Sequence, residues 1–254
     1  MKLELLGLTE IPLVVKGDKI ADLILSSLEQ QNIELEEGNI LLIAETLISK
    51  AEGNYIDLKK INPSPQANEL AEKTGKDPQL IEAIIKESKE IIAIGPNFII
   101  SETKQGFVCA NAGIDESNVE EGLATPMPEN PDKSAKEIYN SLKKEVGENL
   151  AIIITDTQGR AFRNGAVGVA IGCCGINPLW ERVGEEDLYG RKLETTEIAI
   201  ADELAAAASL LMGQANEGIP VVLIKGFLNF NDLKDKKSSI KPLLREKEFD
   251  VFRK

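Results

Sequence analysis

Apolar positions along the chain predict buried strands that alternate with amphipathic helices. Residues 39–44 (NILLIA) and 150–154 (LAIII) are almost entirely apolar, which is typical of strands buried on both faces of a sheet. Further strands are predicted at residues 3–8, 166–175 and 219–224. The longest polar interruption after a buried strand follows residue 155, where the chain is expected to leave the sheet.

Helices are predicted where apolar residues recur every three or four positions. One begins at Asp18 as its cap, and one covers residues 66–92 with a break at the Gly and Pro of residues 75–78. Ser134 opens a capping-box pattern, and an Ala-rich helix is predicted over residues 194–212. Each of these segments has one apolar face for packing against a sheet.

A hairpin is predicted around residues 104–106, between two short strands. Because this hairpin interrupts the alternation of strands and helices, a mixed sheet is favoured over a purely parallel one. The sequence therefore predicts an α+β (mixed α/β) fold of mixed sheets with packed helices. Its 254 residues suit one domain, residues 1–254, or two closely joined subdomains.

Composition excludes several classes of chemistry. The formal net charge of −13 argues against nucleic-acid and membrane-surface binding. The absence of histidine excludes Ser–His–Asp and Cys–His sites and makes zinc unfavourable. The three cysteines lack the spacing of a disulfide framework. The sequence also shows no signal peptide and no apolar run of membrane-spanning length, so we expect a cytoplasmic protein. Any metal must be held by oxygen ligands, which points to magnesium or manganese.

Polar residues cluster where the predicted strands end. Asp156 and Thr157 follow the strand at 150–154, and Asp115 and Asn118 lie in a loop after the predicted hairpin. Ligands of α/β proteins collect at the carboxyl ends of strands, so these oxygens are candidate metal ligands. From these residues alone, a simple turn capped by Asp156 remains an equal alternative.

Candidate cations accompany these acidic residues. Lys50, Arg160 and Arg163 fall in loops near strand ends, where they can face phosphate. A solvated surface lysine is the commoner explanation for Lys50, and a surface salt bridge is the alternative for each arginine. Carboxylates and cations without a His or Cys nucleophile suit phosphoryl transfer. A Walker-type phosphate loop is absent, so a nucleotide must be held differently.

Five ordered motifs resemble the coenzyme F420-0:L-glutamate ligase family. They span about residues 3–225, and their order makes the resemblance specific. The motifs are residues 46–53 (TLISKAEG), 111–118 (NAGIDESN), 154–160 (ITDTQGR), 187–191 (DLYGR), and 211–213 (LMG) with 218–220 (GIP).

This resemblance implies an activity and an assembly. Family members use GTP to activate a carboxylate of the deazaflavin precursor F420-0 as an acyl phosphate. The amine of L-glutamate then forms an amide, and a second glutamate is added through a γ-linkage. The resemblance also implies two divalent cations (Mg²⁺ or Mn²⁺), activation by K⁺, the F420 gamma-glutamyl ligase-like fold and an intertwined homodimer.

The resemblance also implies roles for individual residues. Asp115 and Asp156 match ligands of the first metal, and Thr157 and Gln214 match the second; Asp156 and Arg160 are expected to be catalytic. Residues expected to contact GTP are Thr9, Glu10, Ile11, Pro12, Glu45, Thr46, Lys50, Asn118, Met212, Gly213, Gln214, Ala215, Asn216, Glu217, Gly218 and Ile219.

Two positions depart from the family pattern. Glu45 stands where a small polar residue is common, and Gln214 stands where an acidic metal ligand can occur. Glu217 is a candidate for the missing charge at the second metal. Two further functions remain alternatives: the same chemistry on a folate or another carboxylate, and a metal-dependent phosphohydrolase or nucleotide-binding regulator.

Overall fold

The structure, a computed structural model, describes residues 2–253. Its strands are β1 (Glu4–Gly7), β2 (Asn39–Ala44), β3 (Ile56–Asp57), β4 (Ser88–Gly95), β5 (Phe98–Thr103), β6 (Val108–Ala110), β7 (Leu123–Ala124), β8 (Leu150–Arg160), β9 (Arg163–Cys174), β10 (Trp180–Glu181), β11 (Glu197–Ile198) and β12 (Val221–Lys225). Its α-helices are α1 (Ile20–Gln30), α2 (Glu45–Glu52), α3 (Pro65–Thr74), α4 (Pro78–Glu87), α5 (Pro131–Val146), α6 (Ile200–Met212) and α7 (Phe230–Leu233).

The main sheet has five strands in the order β1-β12-β2-β8-β9. Only β2 and β8 run parallel, and the other neighbours are antiparallel. The two apolar runs noted in the sequence form the central pair, and residues 40–43 and 150–154 are fully buried. The expected mixed α/β architecture is therefore confirmed.

β8 continues beyond the point where the sequence was expected to leave the sheet. β2 ends at Ala44, opposite Thr155, but β9 keeps pairing with β8 from Asp156 to Gly159. We call residues 156–169 the β8–β9 ribbon. Because β9 satisfies the backbone groups of β8, the polar residues stay extended rather than forming a turn.

Two helices begin away from their predicted caps. Asp18 does not cap α1; its carboxylate accepts a hydrogen bond from the Val15 amide instead. α5 begins at Pro131, and Asn130 caps it by accepting from the Lys133 amide. Ser134 therefore lies inside the first turn of α5, where its hydroxyl donates to Glu52.

Two predicted helices are also shorter than expected. The segment 66–92 forms α3 and α4 with the expected break, but residues 88–92 belong to β4, which pairs with β5. α6 begins at Ile200, because residues 197–198 pair with β10. In both places pairing with a neighbouring strand prevails over helical periodicity.

The chain packs around two hydrophobic cores. The larger covers both faces of the main sheet with α1, α5 and α6. The smaller lies under α3 and α4 and includes Leu70, Ile81, Ile84 and Ile99. The three-stranded sheet β4-β5-β6 and the pair β3-β7 accompany it, so residues 56–124 form a unit inserted between α2 and α5. No helix within residues 2–253 combines the length and apolarity needed to cross a bilayer.

Asp132, in the first turn of α5, joins three distant segments. Its carboxylate accepts from the Cys173 amide of β9 at 2.9 Å and from the Ile240 amide at 3.0 Å. Phe230, Leu233 and Ile240 are buried, so the segment after β12 covers the main core. Asp132 fixes that segment to the sheet.

We expect Asp132→Ala to lower the free energy of unfolding by about 2 kcal/mol, because two partly buried amides lose their acceptor. Urea unfolding measures this change. Asp22→Ala is the matched control, since Asp22 is also acidic in a first helical turn but is exposed. Equal losses in the two variants would show that Asp132 acts only on the helix dipole.

Candidate functional site

A cleft of about 830 Å³ opens at the edge of the main sheet where β2 ends. Its walls come from the loop after β1, the start of α2, the loop after β6, the β8–β9 ribbon and the loop between α6 and β12. These segments meet because β2 and β8 are parallel and end together, and the Ala44 amide donates to Pro220 just before β12. The volume is typical of a small-molecule site.

Asp156 lies on the floor of this cleft. Its two oxygens accept from the Thr157 amide at 2.6 Å and from Gln158 Nε2 at 2.9 Å. Burial raises the pKa of Asp156 to about 6, and the charge of Asp115 contributes in the same direction. A bound cation would favour the charged form of this carboxylate.

Asp115 faces Asp156 from the loop after β6. Its backbone pairs with Thr125 through two hydrogen bonds of 2.8 and 2.9 Å. Its carboxylate accepts from the Ser117 amide and hydroxyl at 2.8 and 2.6 Å. Ala112 and Asn118 in the same loop have φ of 55° and 53°, so this loop holds a strained backbone on both sides of Asp115.

Glu45 is a third carboxyl group in the cleft, at the first residue of α2. Its side chain is buried, and Oε2 has no hydrogen-bond partner within the described chain. Burial, followed by the charges of Asp156 and Asp115, raises the pKa of Glu45 well above its usual value. Burial, followed by the charges of Asp156 and Glu45, raises the pKa of the nearby Cys109 thiol to about 12, so that thiol is un-ionised.

Lys50 is the only Lys or Arg among the described residues that line the cleft. Its ammonium group donates to the carbonyl oxygen of Asn118 at 2.6 Å. Burial lowers the pKa of Lys50, while Asp115 and Glu45 raise it. This half-buried cation therefore stands among three acidic groups and ties α2 to the loop that carries Asp115.

The loop after α6 reaches the ribbon through one side-chain contact. Gln214 Nε2 donates to Thr157 Oγ1 at 3.1 Å. These are the two residues that the sequence pairs at a second metal. Their direct contact joins the loop after α6 to the ribbon at the residue next to Asp156.

Most of the residues singled out in the sequence line this one cleft. Those are Ile11, Pro12, Glu45, Thr46, Lys50, Asp115, Asn118, Asp156, Thr157, Met212, Gly213, Gln214, Ala215, Asn216, Gly218 and Ile219.

Five others do not line it, among them Arg163, which is exposed at the start of β9. Thr9 donates to Gln31 Oε1, and Glu217 turns back to accept from the Ala215 amide. Arg160 donates to the carbonyl oxygen of Gly165 at the ribbon end, and Glu10 is exposed outside the cleft.

Gln158 is a site residue that the motifs alone did not single out. In an extended strand, residues two apart share a face, so Gln158 stands beside Asp156 and can hold its carboxylate. Its role was not foreseen because the polar end of β8 was expected to be a turn.

The cleft supplies oxygen ligands that suit a hard cation. No group of three or more Asp, Glu, Cys or His side chains forms a metal cluster in the part of the chain that the structure describes. Asp115, Asp156, Thr157 and Gln214 nevertheless supply carboxylate, hydroxyl and amide oxygens at one place, and the unpartnered Oε2 of Glu45 is a further buried oxygen in the same cleft. This donor set fits magnesium or manganese.

Comparison with known proteins agrees with the motifs. The family model described as F420-0:Gamma-glutamyl ligase matches residues 9–226. The chain is 58% identical to a protein of Methanothermobacter thermautotrophicus named Coenzyme F420:L-glutamate ligase, with 100% of both chains covered. Proteins with the same name in Methanocaldococcus jannaschii and Archaeoglobus fulgidus are 53% and 41% identical, over 99% and 100% of this chain and 97% and 98% of theirs.

The matched family segment contains every part of the cleft described above, from the loop after β1 to the start of β12. Together with identity over the whole chain, this match shows that the chain belongs to the F420-0:gamma-glutamyl ligase family.

Proposed function

We propose that this protein is a ligase that uses GTP to join L-glutamate to coenzyme F420-0 and then adds a second, γ-linked glutamate. The substrates are suggested by the names of the relatives. The observation that carries the proposal is the cleft floor, where Lys50 stands among Glu45, Asp115 and Asp156. A lone lysine cannot neutralise a triphosphate in this acidic site, so cations must enter with the nucleotide.

Four residues would hold two divalent cations in this proposal. Asp115 and Asp156 are assigned to one ion, and Thr157 and Gln214 to the other. When bound, such ions neutralise phosphate charge and orient the phosphoryl group. Lys50 would exchange the Asn118 carbonyl for a phosphate oxygen, which is a stronger acceptor for an ammonium group.

The reaction then has two bond-forming steps. A carboxylate oxygen of F420-0 attacks the γ-phosphorus of GTP, and the bond to GDP breaks to leave an acyl phosphate. The deprotonated amine of glutamate attacks the acyl carbon, phosphate leaves, and an amide forms. Gln158 holds the Asp156 carboxylate in place through both steps.

The proposed activity is tested by incubating the purified protein with F420-0, L-glutamate, GTP, K⁺ and Mn²⁺. We expect mono- and diglutamyl products by mass spectrometry, with GDP and phosphate formed in equal amounts. A parallel reaction with a folate tests the alternative acceptor. Product from the folate alone would reject F420-0 as substrate, and GTP hydrolysis that is independent of both acceptors would indicate a phosphohydrolase.

The location of the protein in the cell is part of the same proposal. Cys109, Cys173 and Cys174 are all free thiols, and all are buried. Free cysteines are typical of a reducing compartment, which supports the cytoplasm, where a nucleotide co-substrate is available.

A homodimer is the proposed assembly. Phe162 at the ribbon end and Leu188 and Tyr189 in the loop between β10 and β11 are 92%, 100% and 96% exposed. Large apolar side chains on projecting segments are typical of surfaces that a partner covers. Two such segments on one chain suit a self-complementary contact with a second copy.

We expect Leu188→Ser with Tyr189→Ser to shift the protein toward a monomer, because the contact loses its apolar anchors. Light scattering during gel filtration measures the mass. Phe249→Ser is the control, since this residue is an exposed apolar residue outside both projecting segments. An unchanged dimer in the double variant would remove this loop from the interface.

We expect Asp156→Asn to reduce turnover by at least ~10³-fold, because the amide has no charge to hold a cation. With both proteins free of metal at pH 8, the variant should have a free energy of unfolding roughly 1–3 kcal/mol higher than that of the wild type. The carboxyl of Asp156 has a raised pKa of about 6, so the stability that it contributes in acid is lost as pH rises through that value. The gain should therefore disappear at pH 4.

Urea unfolding at both pH values measures this stability, and Asp22→Asn provides the exposed control. Full turnover in Asp156→Asn would remove the residue from the site. Equal stability at pH 8 would show that its charge is already compensated.

We expect Lys50→Ala to raise the KM for GTP by about 10–100-fold, which corresponds to losing one charge-assisted contact. The KM for F420-0 should change little. Initial rates at varied GTP and fixed F420-0 measure this, and Lys144→Ala on the exposed face of α5 is the control. A change confined to F420-0 would assign Lys50 to the acceptor instead.

A further inference from the structure

One glycine of the β8–β9 ribbon, Gly159, is not explained by the fold. The register shift that follows it places two extra residues on β9, where Gly165 has positive φ, so this shift does not require a glycine at position 159. Fifteen of the twenty glycines have positive φ, which explains the absence of a side chain at those positions. Of the other five, Gly7, Gly95, Gly168 and Gly172 would each bring a Cβ atom within 2.7 Å of a neighbour. Gly159 alone has ordinary φ and no atom of the described chain within 4 Å of the place a Cβ would occupy.

A glycine without such a need is costly in a strand. It lowers strand propensity and leaves nothing to pack, and it often marks a place where a ligand approaches the backbone. Gly159 lies in β8, three residues after Asp156, and lines the cleft. A ligand in the cleft is therefore the feature that a side chain at position 159 would obstruct.

The surface around Gly159 carries only small side chains. Gly159 pairs with Ala166, and the next pair on the same face of the ribbon is Thr157 with Gly168. Helix α6 covers this face at Gly168, where a Cβ would lie 2.4 Å from the carbonyl oxygen of Ala205. Gly159 and Ala166 remain exposed beyond the end of that cover. We call Gly159 and Ala166, with the bordering Ser209, the shelf.

We infer that the shelf binds the planar ring system of the carboxylate acceptor, an inference that rests on the proposed function. Two cross-strand residues with a hydrogen or a methyl group as side chain accept a flat ring face-on, whereas a flexible chain gains little from such a surface. The hydroxyl of Ser209 offers a polar contact at its border.

The position of the shelf favours the acceptor over the nucleotide base. Phosphoryl transfer places the attacking and leaving oxygens roughly in line, so acceptor and GDP lie on opposite sides of the transferred group. Apart from Asn118, the residues proposed for GTP follow β1 and β2 or precede β12, and these strands lie on one side of β8. The shelf belongs to β8 and β9 beyond Asp156, on the other side.

The test compares F420-0 and GDP binding in Gly159→Val by equilibrium dialysis. We expect the Kd of F420-0 to rise at least ~10-fold and the Kd of GDP to stay within about twofold, because only the shelf is filled. The fold should tolerate valine, since nothing occupies that space and β-branched residues favour strands. Gly159→Ala adds only a methyl group, should give an intermediate loss, and replaces the valine variant if the latter is unstable.

Asn164→Val is the matched control, because it adds a β-branched side chain to the same ribbon at an exposed position outside the cleft. Unchanged F420-0 binding in Gly159→Val would overturn the inference. A shift toward monomer with unchanged F420-0 binding would assign the shelf to a second copy of the chain and would also overturn it. If the wild type binds F420-0 through the shelf but forms no glutamyl product, the proposed function fails and the subsite stands.

Discussion

The parallel pairing of β2 with β8 is the constraint on which the rest of the site depends. Because the two strands run the same way in the centre of the sheet, both end at one edge, with Ala44 opposite Thr155. The residues that follow, Glu45 at the start of α2 and Asp156 in the ribbon, are thereby brought together. The antiparallel neighbour β12 starts at the same edge, so the loop before it closes the third wall.

Burial of like charges at this edge is the second determinant. Asp156 and Glu45 are pushed toward their protonated forms, and Lys50 toward its neutral form, by the same loss of solvent. Without ligands, the buried charges of this site are not balanced. Binding of cations is therefore coupled to binding of the polyphosphate. Until both are bound, burial of these groups lowers the free energy of unfolding.

The central strands could be predicted from the sequence because a short, unbroken apolar run has few favourable positions other than a buried strand. The helix breaks at Gly75 and Pro78 followed from backbone chemistry as well. Helix beginnings at Asp18 and Ser134 were wrong because a cap pattern also satisfies loop amides and the interior of a first turn. The ribbon was missed because the partner that keeps Asp156–Arg160 extended is β9, and long-range pairing leaves no trace in local periodicity. Most residues around the cleft could be identified from the sequence motifs. Gln158 and Gly159 could be identified only once the alternation of side chains along β8 was known.

The strained loop after β6 sets a limit on how this protein can vary. Ala112 and Asn118 have left-handed backbone conformations that cost free energy, and they place Asp115 where Thr125 can pair with it. The helices of the smaller core can exchange one apolar side chain for another of similar volume at modest cost. The loop has no comparable freedom, because a change that relaxes its backbone also moves a carboxylate. Stability gained there would be gained at the expense of the cleft, so tolerance to mutation is unevenly distributed within residues 56–124.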